Sequence, residues 1–180
     1  MNHHYRLSLT TLCIIISVVA MAQRERICFD QNWHFARGNA ADPTKDFGCG
    51  TEYFNYFAKA NSIHNTGPYS MKFQEDSLQW KDIDLPYDFA VDLPFAEKAS
   101  YSHGHKTVGW QYPETSIGWY RKKFNIPESD RGKHIRLQFD GIFRDAQIWV
   151  NGFLVGHESS GYKHQDYDIT DYLLYGDGQN

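Results

Sequence analysis

Asn151-Gly152, set between two runs of alternating apolar residues, restricts this chain more than any other feature. An Asn-Gly pair accepts positive φ at both central positions of a type I′ turn, whose twist matches that of the strands it joins. Before the pair, Ala146, Ile148 and Val150 share one face; after it, Phe153-Leu154-Val155 returns. The segment before that repeats the pattern, with Ile135, Leu137 and Phe139 apolar and Arg136, Gln138 and Asp140 polar. Gly118 to Leu173 therefore reads as consecutive antiparallel strands closed by one tight hairpin. No segment beyond Gln23 sustains a helical period, and short strands separated by turn residues predict an all-β domain, a two-sheet β-sandwich of the jelly-roll kind.

Upstream, Ile27 to Arg37 is predicted as a first strand carrying Phe29, Trp33 and Phe35, and it ends at Gly38-Asn39. The chain is then polar and aromatic as far as Gln79, with Tyr53, Phe54, Tyr56 and Phe57 predicting a short helix. Trp80 to Leu85 reads as a short strand stopped by Pro86. Leu93 to Gly118 is a long loop, and ordered loops of that length on a sandwich are packed covers or functional surfaces. Gly176 to Asn180 reads as a turn where a returning strand is needed, so the domain is expected to be truncated at its C-terminus.

Arg6 followed by an apolar run from Leu7 to Ala22, with Ala20-Met21-Ala22 at its end, has the form of a secretory leader. Residues 1–22 are expected to be a signal peptide and 23–180 the folded domain of an exported protein, periplasmic or extracellular. The run falls short of the roughly 20 apolar residues that span a bilayer, and no second one follows, so no membrane span is expected after cleavage. In an oxidising compartment Cys28 and Cys49 form either a disulfide or two unpaired thiols, since spacing alone sets no distance. A net charge of -4 provides no field for a polyanion, so nucleic acid is not an expected partner.

The same residues carry a family resemblance. Gly-Trp-Tyr-Arg-Lys-Lys-Phe at 118–124, Phe-Asp-Gly at 139–141, Ile-Trp-Val-Asn-Gly at 148–152, Val-Gly at 155–156, Gly-Tyr at 161–162 and Tyr-Asp-Ile-Thr-Asp-Tyr-Leu at 167–173 occur in that order. Together they resemble the N-terminal, sugar-binding-type domain of glycoside hydrolase family 2, which contains β-galactosidases, β-glucuronidases and β-mannosidases. Trp80 to Phe89 is similar to the family's tryptophan, strand and Leu-Pro-His-Asp-Trp segment, with Tyr87 in place of the histidine and Phe89 in place of the tryptophan. The resemblance implies a galactose-binding-domain-like jelly roll in an exported glycosidase that cleaves terminal β-glycosidic bonds, β-galactosidase-like activity being favoured. It implies immunoglobulin-like and (β/α)8 barrel domains downstream, with both catalytic glutamates on the barrel and a β-glycoside as the substrate. The alternative is a stand-alone carbohydrate-binding module without catalytic activity.

Retaining glycoside hydrolysis needs two carboxyl groups about 5–5.5 Å apart, one of them with a raised pKa. Glu97, Glu114, Glu128 and Glu158 lie scattered on loops and strand ends beside polar neighbours, so no catalytic residue is expected here. The loop Ser100 to Ser116 is the candidate sugar-facing surface. The resemblance implies that a loop at this place reaches toward the sugar site on the barrel, and His103, His105, Trp110 and Tyr112 offer hydrogen-bonding groups and flat faces suited to a sugar. Asp88, in the Leu-Pro-Tyr-Asp segment, completes the substrate-binding candidates. The competing reading is a loop packed on its own sandwich or on the next domain. His103-Gly104-His105 with Glu114 is a weak metal pattern, and Gly48-Cys49-Gly50 lacks what a phosphate cradle needs, so neither metal nor cofactor is expected.

Overall fold

The computed structural model describes residues 24–39 and 80–180. The described residues form seven strands joined by turns and five short 3-10 helices, with no α-helix among them. β1 (Trp33–Arg37) lies between β2 (Lys81–Ile83) and β3 (Gly118–Arg121), antiparallel to both. β4 (Arg136–Phe139) pairs with β7 (Gln165–Asp168), and β5 (Ala146–Val150) pairs with β6 (Phe153–Glu158), both antiparallel. The all-β reading holds, with short separate ladders in place of two long continuous sheets. No helix among the described residues is long and apolar enough to cross a membrane. The leader, Cys49 and the helix expected around Tyr53 lie outside the described residues.

The Asn-Gly hairpin forms as the sequence predicts. Asn151 and Gly152 both have positive φ, 50° and 87°, and Val150 faces Phe153 across the turn. A register shift at Ile148/Trp149 is a bulge that the alternation did not reveal. Val150, Ile169 and Leu173 form a buried cluster, flanked by Phe124, Ile126, Ile135, Leu137, Val155 and Tyr167. Of the inward residues read from the sequence, Ile135, Leu137 and Val150 thus meet the 3-10 turn Thr170–Tyr172, which follows β7.

The first strand is shorter than expected. Asn32 has φ of 58°, and residues 24–30 carry no regular structure. Phe29 folds back instead, its carbonyl accepting from Trp33 Nε1 at 2.7 Å and its ring meeting Phe124 edge-on at 5.0 Å. Asp145 faces Arg144 at 3.4 Å, and the Arg121 guanidinium lies 6.0 Å from the centre of the Trp80 ring.

Asn180 makes the turn at 176–180 more than a surface bend. It is only 5% exposed, and its backbone exchanges hydrogen bonds with Phe124 at 2.9 and 3.0 Å. Its Oδ1 accepts from Leu174 N (2.7 Å) and Asn151 Nδ2 (2.8 Å), while its Nδ2 donates to Leu174 O (2.9 Å) and Phe124 O (3.4 Å). Asn151 Nδ2 also donates to Tyr172 O at 2.7 Å, so one amide pair ties the hairpin turn to β7's extension. Both polar atoms of the buried Asn180 side chain are therefore satisfied.

Asn180→Ala should lower stability by about 2–4 kcal/mol, because it strips partners from several buried groups at once; urea denaturation of the protein measures this, and a loss near zero would contradict the clamp. A second outcome concerns β4 and β7, where Asp166 accepts from Arg136 Nε (2.8 Å) and Gln138 Nε2 (2.9 Å). The Arg136 hydrogen bond, then that of Gln138, holds the Asp166 carboxyl below the usual range. Its contribution is present above the unfolded value of about 3.9 and lost as pH falls through the folded one. The stability gap between wild type and Asp166→Asn should be largest near neutral pH and close in acid; a gap independent of pH would refute this.

Candidate functional site

The site is built outward from Phe35, a buried residue in the middle of β1. Tyr87 and Tyr120 meet its ring edge-on, each at 5.1 Å, and Phe89 stacks on it at 5.5 Å. Both departures from the Leu-Pro-His-Asp-Trp pattern, Tyr87 and Phe89, thus belong to this aromatic cluster. The Tyr120 hydroxyl donates to the Tyr87 carbonyl at 3.0 Å. Burial, then the charges of Asp88 and Tyr87, push the Tyr120 hydroxyl well above the ordinary tyrosine value, so it serves as a donor and not as a base. Gly118 closes the far end of the loop on the same rings. A Cβ there would lie 2.8 Å from Phe89 and 2.9 Å from Phe35, closer than packing allows.

Between these two anchor points the loop is ordered by its own hydrogen bonds. The Lys106 ammonium donates to the carbonyls of Val91 (2.8 Å) and Leu93 (2.7 Å) and sits 4.0 Å over the face of Phe95. Thr107 N donates to Pro94 O at 3.1 Å and Ala96 N to His105 O at 2.9 Å. The Ser116 hydroxyl accepts from Gly109 N at 2.8 Å and faces the carbonyls of Gly109 and Tyr112. Two short 3-10 helices, Tyr101–His103 and Pro113–Thr115, lie within the loop, the first capped by the Ser100 hydroxyl.

This framework opens a cleft of about 160 Å³ lined by Ser100, Ser102, His103, Val108, Gly109, Trp110 and Gln111. Of the five candidate residues, His103 and Trp110 face it together. His103 is half-buried with its ring against Gly109, and its Nδ1 is buried without a hydrogen-bond partner among the described residues. Trp110 is 88% exposed. The other three are not in the lining. His105 Nδ1 sits 3.1 Å from the Ala99 carbonyl, and its ring meets Tyr101 edge-on at 5.8 Å. Tyr112 is half-buried and contributes its carbonyl to the Ser116 knot. Asp88 is a helix cap, its Oδ1 accepting from Ala90 N at 2.9 Å at the start of Phe89–Asp92. Sequence reasoning overlooked the lining residues Ser100, Ser102 and Gln111; their polarity was visible, but their convergence depends on the path that Lys106 and Ser116 impose.

Two of the glutamates, Glu128 and Glu158, are held in ways that oppose proton donation. The Arg131 guanidinium pairs with Glu128 and holds its carboxyl below the usual range, and Lys163, 2.8 Å from Glu158, does the same there. Glu97 and Glu114 are exposed. Among the described residues no three His, Cys, Asp or Glu side chains are grouped to hold a metal. Cys28 is exposed, its thiol 3.4 Å from Asp30 Oδ2, and Cys49 lies outside the described residues.

Described residues that form strands and short 3-10 turns, with an aromatic-anchored loop and a small polar cleft, can now be set beside known proteins. The family model described as "Glycosyl hydrolases family 2, sugar binding domain" matches residues 54–180. The chain belongs to glycosyl hydrolase family 2. It is 35% identical over 94 residues to Beta-galactosidase BoGH2A of Bacteroides ovatus, covering 52% of this chain and 10% of that protein. It is 30% identical over 124 residues to a Beta-glucuronidase of Formosa agariphila, covering 69% of this chain and 12% of the relative. A solved family 2 member from Bacteroides cellulosilyticus superposes with a TM-score of 0.59 at 30% identity, covering 85% of this chain and 16% of the other. The sequence therefore spans between about a tenth and a sixth of the length of these family 2 relatives.

Lys106→Met keeps an apolar stem over Phe95 and removes both hydrogen bonds to the loop. Amide hydrogen exchange between Leu93 and Gly109 should accelerate several-fold while that of β4 to β7 stays unchanged; unaltered exchange in the loop would show that Lys106 does not hold it.

Proposed function

We propose that this domain forms one wall of the sugar pocket of an exported family 2 glycosidase acting on neutral β-glycosides, β-galactosides foremost. The observation that carries the proposal is the cleft where His103 and Trp110 converge on a loop whose two ends are pinned to the Phe35 cluster. An exposed indole offers a face to sugar C–H groups, and the imidazole, hydroxyls and Gln111 amide offer hydrogen bonds to sugar hydroxyls. At about 160 Å³ the cleft is well below the roughly 300–1,000 Å³ of a self-sufficient ligand pocket, which favours a wall completed by another domain over a stand-alone binding module.

In this proposal the two carboxyl groups of the hydrolysis belong to a (β/α)8 barrel of the same polypeptide, which this domain and an immunoglobulin-like domain support. The domain's share of catalysis is positioning. Interactions with parts of the sugar remote from the scissile bond hold the reacting centre in place for the acid and the nucleophile. Preference for a neutral sugar is supported by a lining that contains no lysine or arginine to meet a uronate carboxylate. Residues 1–22 serve as the export signal and are removed.

In the full-length protein, Trp110→Ala and His103→Gln should each raise KM for 4-nitrophenyl β-D-galactoside by about 3–10-fold with a smaller change in kcat, the signature of lost binding and not of lost chemistry. Wild type should hydrolyse the galactoside faster than the matching β-D-glucuronide. Unchanged kinetics in both variants would remove the loop from the pocket, and a preference for the glucuronide would overturn the neutral-sugar assignment.

A further inference from the structure

A second aromatic surface stands apart from the cleft and shares no residue with it. The loop after β4 carries Phe143 and the loop after β6 carries Tyr162; the two rings are 62% and 90% exposed. Their centroids lie 5.7 Å apart with planes at 69°, so they form an open corner. Single exposed apolar residues are ordinary on a protein surface, but these two are held in place by specific packing. The Phe143 ring lies directly on Gly161, where any Cβ would fall inside the ring's van der Waals envelope, and Gly141 lies against the Gly161 carbonyl. The Tyr162 loop is braced by Ser160 N donating to Glu158 Oε1 (3.1 Å), Tyr162 N donating to Ser160 Oγ (3.3 Å) and Lys163 pairing with Glu158 (2.8 Å).

The charges around the corner point to the kind of ligand. Glu158 is matched by Lys163 and Asp145 by Arg144 at 3.4 Å, so neither sign dominates. Asp140, from the first loop, faces His164 Nδ1 of the second at 3.7 Å, and both are solvent-exposed. An anionic partner finds no opposing field here, while a polyhydroxylated one finds two aromatic faces and, on the same two loops, an exposed carboxylate and an imidazole suited to hydroxyl groups.

We infer that Phe143 and Tyr162, with Asp140 and His164 beside them, form a second binding site for a neutral oligosaccharide, separate from the catalytic pocket. Its role would be to hold a glycan chain on the enzyme, raising the local concentration of cleavable ends without touching the reacting bond.

The test is isothermal titration of the full-length protein, its catalytic pocket filled by a saturating galactose-configured iminosugar, with β-1,4-galactotetraose, and with tetragalacturonate as the charged counterpart. Wild type should bind the neutral probe and bind the uronate at least tenfold more weakly. Tyr162→Ala, at a position too exposed to unfold the domain, should weaken the neutral binding by about tenfold, and Tyr162→Phe should retain most of it. Hydrolysis of 4-nitrophenyl β-D-galactoside should be the same in all three proteins, so loss of the corner reads differently from loss of the pocket. Equal binding by Tyr162→Ala and wild type would overturn the site. A Tyr162→Ala protein that binds sugar normally but changes oligomeric state or melting temperature would overturn it in favour of a protein-docking surface.

Discussion

Phe35 is the contact on which the rest depends. It sits at the centre of β1, between β2 and β3, and gathers Tyr87, Phe89 and Tyr120 around one ring. Phe89 precedes the loop that carries the cleft and Gly118 follows it, so both ends of that loop are fixed to one aromatic cluster. Aromatic pairs of this geometry contribute about 0.5–1.5 kcal/mol each beyond simple burial, and three of them on one residue resist opening of the loop's base. A loop with pinned ends loses less freedom on meeting a ligand than one hinged freely, which is what a wall of a catalytic pocket requires.

The other half of the domain is held by a different kind of contact. The hairpin turn, the extension of β7 and the segment at Phe124 converge on Asn180, whose amide is saturated by hydrogen bonds. Asn151 therefore does two things: its backbone takes the positive φ that the turn needs, and its side chain reaches across to Asn180 and Tyr172. The apolar cluster of Val150, Ile169 and Leu173 lies beneath. Rigid loops at the ends of such a framework can display aromatic rings in fixed directions, whether at Trp110 in the cleft or at Phe143 and Tyr162 in the corner.

Much of this was legible in the sequence, for identifiable reasons. The Asn-Gly turn depends on local rules and appears as read, while the strand before Pro86 is confined to Lys81–Ile83 and the alternation through β5 is interrupted by the bulge at Ile148/Trp149. The first strand was read too long because Phe29 fits a strand pattern, although Asn32 turns the chain before it can join the ladder. The family departures at Tyr87 and Phe89 were visible in the sequence but their partners were not; in the fold they pack on Phe35, a contact between residues more than fifty positions apart. At the candidate site the residue types were readable but their grouping was not. His103 and His105, two positions apart, point to different surroundings because the chain takes positive φ at Gly104, between them, and at His105 itself. Asp88 was drawn into helix capping, a role that competes with ligand binding for the same oxygen.

The central claim is that the loop pinned at Phe35 touches the sugar during catalysis. Hydrogen exchange of the full-length protein with and without a saturating galactose-configured iminosugar tests it most directly, because protection reports proximity at the level of single peptides. The account predicts slower exchange confined, within this domain, to the segment from Ser100 to Gln111. Exchange there that is identical with and without the iminosugar, while peptides elsewhere in the protein become protected, would contradict it.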